Sequence, residues 1–154
     1  IESVNNRARV VVRLPILVAG WGPMVTLSLV AELGEIFKML GPPVVIDEWE
    51  QVLVVHCEAV GRDPSGIERT IAFRQPVIRD TEDDARDAAA QISAHHAIEP
   101  PFLDMAGTAD MLVEQLLPDL DLGFRHLIFQ FLAPFDGETM DRLISEVKPQ
   151  LESA

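Results

Sequence analysis

Apolar residues in this chain come as short continuous runs separated by stretches with helical spacing. Pro15–Ala19 is such a run, and Val25, Leu27, Leu29, Val30 and Leu33 follow at the spacing of one helix face. The first predicts a strand and the second a helix over Val25–Leu33, closed by Gly34 as C-cap. Glu35–Leu40 predicts a second strand, broken by Gly41, Pro42 and Pro43. Asp47 predicts the N-cap of a helix that runs to Val60 and stops at Gly61. Asp63, Pro64 and Ser65 open a turn. Thr70–Ile78 is rich in β-favouring residues and predicts a third strand, interrupted by Pro76.

The second half repeats the alternation. Thr81 followed by Asp84 reads as a capping-box start for a helix to His95, with Glu82, Asp83 and Asp84 in the first turn, where carboxylates favour the helix dipole. Pro100-Pro101 marks a loop, Thr108 caps a helix through Leu117, and Gly123 ends the connection. Phe124–Phe131 is a strongly apolar strand, Pro134–Asp136 a turn, and Glu138–Val147 the last helix. The order is strand, helix, strand, helix, strand, helix, helix, strand, helix. That order predicts an α/β fold of parallel βα repeats with helices packed on the sheet. Residues 14–151 carry the pattern. Residues 1–13 form an N-terminal segment or edge strand (Val10-Val11-Val12 between Arg9 and Arg13), and 152–154 a short tail.

The junction after the first strand is the candidate site. Ala19-Gly20-Trp21-Gly22-Pro23 ends a strand in small residues immediately before a helix, which aims backbone N–H groups and the positive end of a helix at one spot. Gly20 and Gly22 allow close approach of an anion; the bland alternative is a tight turn that binds nothing. Trp21 and Phe37 sit near the C-terminal ends of predicted parallel strands, where they either line a pocket for a flat ring or pack in loops. Lys38 and Gln130 interrupt apolar strands, and reach a site if they face inward or are merely solvated if they face out. His56 and Cys57 are adjacent on a helix and point apart, so they read as a surface histidine beside a small buried thiol. His95-His96 lacks the i, i+4 spacing of a metal pair.

Composition narrows the classes. The chain has 154 residues, 48% hydrophobic and 24% charged, enough for one domain with a real core. Its net charge of -13 argues against nucleic acid and against an anionic membrane surface, but not against a small anion held by local N–H groups. The single cysteine, Cys57, excludes an internal disulfide and fits a cytoplasmic protein. No run is apolar enough to span a bilayer. The chain opens on Ile1 rather than Met, as a fragment would.

Several segments, in order, resemble the bacterial-luciferase-like superfamily, and within it the deazaflavin (coenzyme F-420)-dependent oxidoreductases. They are Pro15–Pro23 leading into Thr26–Glu32; His56–Ser65 with Ile67 and Glu68; Thr81–Arg86; Ala106–Thr108; and Gly123–Phe131 followed by Ala133–Asp136, Glu138 and Thr139. The resemblance implies strands five to eight, the second half of a TIM (β/α)8 barrel. It implies cofactor contacts at Ala19, Gly20, Trp21, Gly22 and Pro23, the loop after the fifth strand. The cofactor would be deazaflavin F-420, with FMN the alternative, and the activity hydride transfer to or from a small organic substrate, as in a luciferase-like monooxygenase or dehydrogenase. No catalytic residue carries over, because the family's acid/base groups lie mostly in the first half. Gly34-Glu35-Ile36-Phe37 departs from the family's usual Asp-Gly or Asp-x-Trp. A half barrel leaves two open edges, so the expected partner is a second copy or a separate first-half chain. The other reading is a non-catalytic half-barrel domain or truncated relic that self-associates and binds no cofactor.

Overall fold

The computed structural model describes residues 14–20, 22–39 and 43–153; the 1–13 segment lies outside them. In chain order the elements are β1 (Leu17–Ala19), α1 (Val25–Leu33), β2 (Ile36–Met39), α2 (Pro43–Val60), β3 (Glu68–Arg74), β4 (Val77–Ile78), α3 (Glu82–His95), β5 (Ala106–Gly107), α4 (Ala109–Asp121), β6 (His126–Gln130), α5 (Gly137–Arg142) and α6 (Lys148–Ser153). A 3-10 turn spans Pro64–Gly66, and a π-helical stretch, Leu143–Val147, joins α5 to α6.

β1, β2, β3 and β6 form one parallel sheet in that order, while β4 and β5 pair separately, also in parallel. Each strand of the large sheet lies beside the one before it, with no reversal of direction. That is the winding of a barrel rather than of a doubly wound sheet, whose order reverses at a switch point. The register sorts the side chains into two faces. Val18, Phe37, Met39, Ile71, Phe73, Leu127 and Phe129 share one face, and all pack into the core with residues of α1, α2, α4 or the α5–α6 segment. The other face carries Leu17, Ala19, Ile36, Lys38, Glu68, Thr70, Ala72, Arg74, His126, Ile128 and Gln130, and none of these joins a core cluster. The fold is therefore a one-sided α/β layer, with helices packed on one face of the sheet. Among the described residues, no helix is long and apolar enough to cross a membrane.

Several boundaries differ from the sequence reading, each for a local reason. Thr70–Ile78 is not one strand. Pro76 has no N–H for the ladder, and Gln75 before it leaves the strand at φ of 44°, so the chain passes from β3 into the small sheet. The partner strand β5 is two residues long, too short to leave a periodic signal. α2 starts at Pro43, where a missing N–H costs nothing, rather than at Asp47. α4 continues past Leu117 and through Pro118 to Asp121, because Leu116 is buried in the core with Leu117 packed against it, and that packing outweighs the lost hydrogen bond. β6 is the narrower His126–Gln130, since Phe124 leaves the sheet to pack with α2 in the core. The last helix runs on to Ser153. Gly34 closes α1, donating to the Val30 carbonyl at 2.9 Å, but in an extended rather than left-handed conformation. The caps at Thr81, Thr108 and Asp63 form as read, accepting from the amides of Asp84, Met111 and Ser65.

A buried hydroxyl ties the small sheet to α5. Thr139, fully buried, donates to Asp136 Oδ2 at 2.7 Å and accepts from the Ile78 amide at 2.9 Å and Arg79 Nη1 at 3.2 Å. Arg79 completes the knot with an ion pair to Asp136 at 3.1 Å, and Asp136 caps α5 through the Thr139 amide. Thr139→Val keeps the volume and strands the Ile78 N–H; it should lower unfolding stability by about 1–3 kcal/mol. Thr139→Ser, which keeps the oxygen, should cost less, as urea denaturation would show. Asp119 gives a second prediction. Its Oδ1 is buried without a partner, and burial holds the carboxyl above the usual 3.8. The unfolded chain gives up that proton more readily than the folded one, so stability is lost as pH rises from 3.8 through the raised folded value. Asp119→Asn should be more stable than the parent at neutral pH, with the gap closing as pH falls to 3.8.

Candidate functional site

β1 delivers Ala19 and Gly20 to the C-terminal end of the sheet, and α1 begins five residues after Gly20. A Cβ on Gly20 would lie 3.0 Å from Thr26 Oγ1 and 3.2 Å from its Cγ2, so the turn closes on the first helical residues only with glycine. Gly22 has φ of +122°, outside the range of L side chains, and a Cβ there would meet nothing within 4 Å. At the head of α1, Met24 stands at the N-cap and makes no side-chain bond to the first-turn amides. Those amides point out of the helix with the positive end of its dipole. Pro23 is held from below: its carbonyl lies 3.2 Å from His56 Nε2 on α2. A carbonyl only accepts, so that nitrogen carries the proton. At the other end of α1, Arg62 donates to the carbonyls of Val30 and Ala31 at 3.2 and 3.1 Å.

The structure thus brings Ala19, Gly20, Gly22 and Pro23 together at one helix N-terminus; Trp21 lies outside the described residues. Lys38 and Gln130 both lie on the open face, by register with Thr70 and Arg74. Phe37 does not line a pocket: it alternates to the helix side and is fully buried in the core. Cys57 is fully buried, and desolvation pushes its thiol up, which makes it unreactive. His95 and His96 stack edge to face at 5.1 Å, with no third ligand grouped beside them among the described residues.

Two cavities lie elsewhere. The larger, about 980 Å³, runs along the free edge of β6 between α4 and the α5–α6 segment, lined by apolar residues such as Leu127, Phe129 and Leu143. The smaller, about 350 Å³, opens at the C-terminal ends of β3 and β6 and takes in Arg74, Gln75 and Gln130. Sequence reasoning missed Arg74 and Gln75; the available signal was a polar pair ending an apolar strand directly before a proline. It also gave His56 no partner, since the Pro23 contact spans 33 positions.

Solved structures share this arrangement. The EDTA monooxygenase of Chelativorans sp. BNC1 superposes with a TM-score of 0.67 at 16% identity, over 88% of this chain and 45% of its own. The coenzyme F420-dependent tetrahydromethanopterin reductase of Methanopyrus kandleri gives 0.66 at 15% identity, over 90% and 51%. A riboflavin lyase, solved with modified FMN and riboflavin, gives 0.65 at 14%, over 89% and 42%. At these identities the likeness is one of fold: the chain shares the parallel α/β arrangement of part of each of these structures. The chain spans about half the length of the solved structures it matches. No protein-family model and no curated relative matches the sequence.

The His56–Pro23 bond makes a local prediction. His56→Ala should speed hydrogen exchange at the amides of Met24, Val25 and Thr26 and leave those of Leu53 and Cys57 slow. Unchanged exchange at the head of α1 would mean that the turn holds itself.

Proposed function

We propose that this chain is the strand-five-to-eight half of a flavin- or deazaflavin-dependent oxidoreductase barrel, acting on a small organic substrate. The observation that carries the reading is the Gly20–Pro23 turn set directly before the N-terminus of α1, at the C-terminal end of a parallel sheet wound in one direction. In α/β barrels that end carries the active site. The turn fits the anionic tail of such a cofactor: Gly20 lets the chain close against Thr26, Gly22 frees the backbone with open space beside it, and the positive end of the α1 dipole faces the turn. When bound, the ring supplies the hydride chemistry. The chain's own part is to seat the tail at Ala19, Gly20, Gly22 and Pro23, and to hold the turn through His56. F-420 is the preferred cofactor and FMN the alternative; structural neighbours include proteins named for each.

The barrel needs a second half. Leu14, Ile16 and Leu17 are 67%, 50% and 44% exposed beside the β1 edge, and Met24 and Val25 are exposed on α1. At the opposite edge Ile144 is 67% exposed over the apolar cavity beside β6. A second copy would bring the strand number to the eight of a closed barrel, and a separate first-half chain would do the same.

Sedimentation equilibrium followed by fluorescence titration with F-420 and FMN tests the reading. The assembled protein should bind one of them. Gly22→Asp should weaken that binding by at least about tenfold, because a carboxylate at a helix N-terminus repels a phosphate. Equal binding by the variant would remove the turn from the cofactor site. A stable self-associated form that binds neither would leave the non-catalytic domain.

A further inference from the structure

The small cleft where β3 and β6 end holds an unclaimed set of donors. Arg74 is the last residue of β3, on the open face beside Gln130. Gln75 follows at φ of 44° and is 1% exposed. Its main chain donates to the Gln130 carbonyl at 2.8 Å, and its Oε1 accepts from the Leu132 amide at 2.7 Å. That second bond fixes the amide orientation, because a flipped amide would set N–H against N–H. Gln75 Nε2 is then left buried at the cleft with no partner. Unpaired buried donors are rare in folded proteins and call for a partner.

Arg74 is equally unclaimed. Arg62 and Arg125 hold backbone carbonyls, and Arg69, Arg79, Arg86, Arg142 and Lys148 pair with carboxylates. Among the described residues, Lys38 and Arg74 are the cations with neither kind of partner, in a chain of net charge -13. Both lie on the open face, but Arg74 is the one at the cleft. The walls opposite are Ile98 and Phe102, from the connection between α3 and β5. The cleft's volume of about 350 Å³ suits a small organic molecule.

We propose that Arg74 and the Gln75 side-chain amide bind the carboxylate of a small organic acid whose apolar body lies against Ile98 and Phe102. A guanidinium with an adjacent N–H donor matches the two oxygens of a carboxylate. Naming this acid the substrate rests on the proposed function; the binding itself does not.

The test is a titration of the full chain at constant ionic strength with sodium benzoate, benzyl alcohol and inorganic phosphate. It is read at the Gln75 side-chain amide by nitrogen-15 NMR. Benzoate should shift that NH₂ pair, and benzyl alcohol should not. Arg74→Gln, an exposed change that leaves the core alone, should weaken benzoate at least about tenfold, while Arg86→Gln should not change it. Three results would overturn the proposal: no shift at Gln75, equal benzoate affinity in Arg74→Gln, or phosphate binding there as tightly as benzoate. No cofactor is present in the titration, so its failure leaves the cofactor reading standing. Failure to bind F-420 or FMN likewise leaves the carboxylate cleft.

Discussion

The handedness of the parallel crossover governs this molecule. A strand that returns to a parallel neighbour through a helix does so in one hand, and when each new strand lies beside the last, every helix lands on the same side. β1, β2, β3 and β6 follow that rule without reversal. All the helix packing is spent on Phe37, Met39, Ile71, Leu127 and their row, while Lys38, Thr70, Arg74, His126 and Gln130 are left on the other face. The polar residues on that face are therefore a consequence of winding. The same constraint puts every strand-to-helix turn at one end of the sheet, which is why the Gly20–Pro23 turn and the Arg74 cleft share an end though they lie on different strands.

The sequence exposed the large-scale order because long helices and continuous apolar strands leave periodic signals. Val25–Leu33 and Glu82–His95 fall where their spacing and caps put them. Signals failed where one residue decides between two continuations. Gln75 before Pro76 turns a single predicted strand into members of two sheets. The helix read as ending at Leu117 runs on through Pro118, because tertiary burial of Leu116 outweighs the lost hydrogen bond. The candidate turn was legible because glycine is the residue such a turn requires. The residues that support it were not: His56 reaches Pro23, and Arg62 reaches Val30 and Ala31, across more than thirty positions. No local spacing encodes such pairs. Phe37 shows the converse limit, since strand alternation fixes its face only once the register is known.

Net charge is a weak guide to whether this chain binds anions. Fields from exposed carboxylates fade over a Debye length of about 10 Å in salt, whereas donors within a partly desolvated cleft act at hydrogen-bond range. Most described cations are already engaged, so their charge is spent locally: Arg69 on Glu50 at 2.6 Å, Arg79 on Asp136, Arg142 on Asp80 and Glu146. What remains available is set by position rather than by the total. Arg74 is available because β3 ends there, and because the break at Gln75 turns the chain away before a carboxylate can be placed beside it. The same proline that splits the strand thus leaves a guanidinium and an amide facing a cleft. A one-residue slip of β3 against β2 and β6 would flip Arg74 to the helix side, since side chains alternate along a strand.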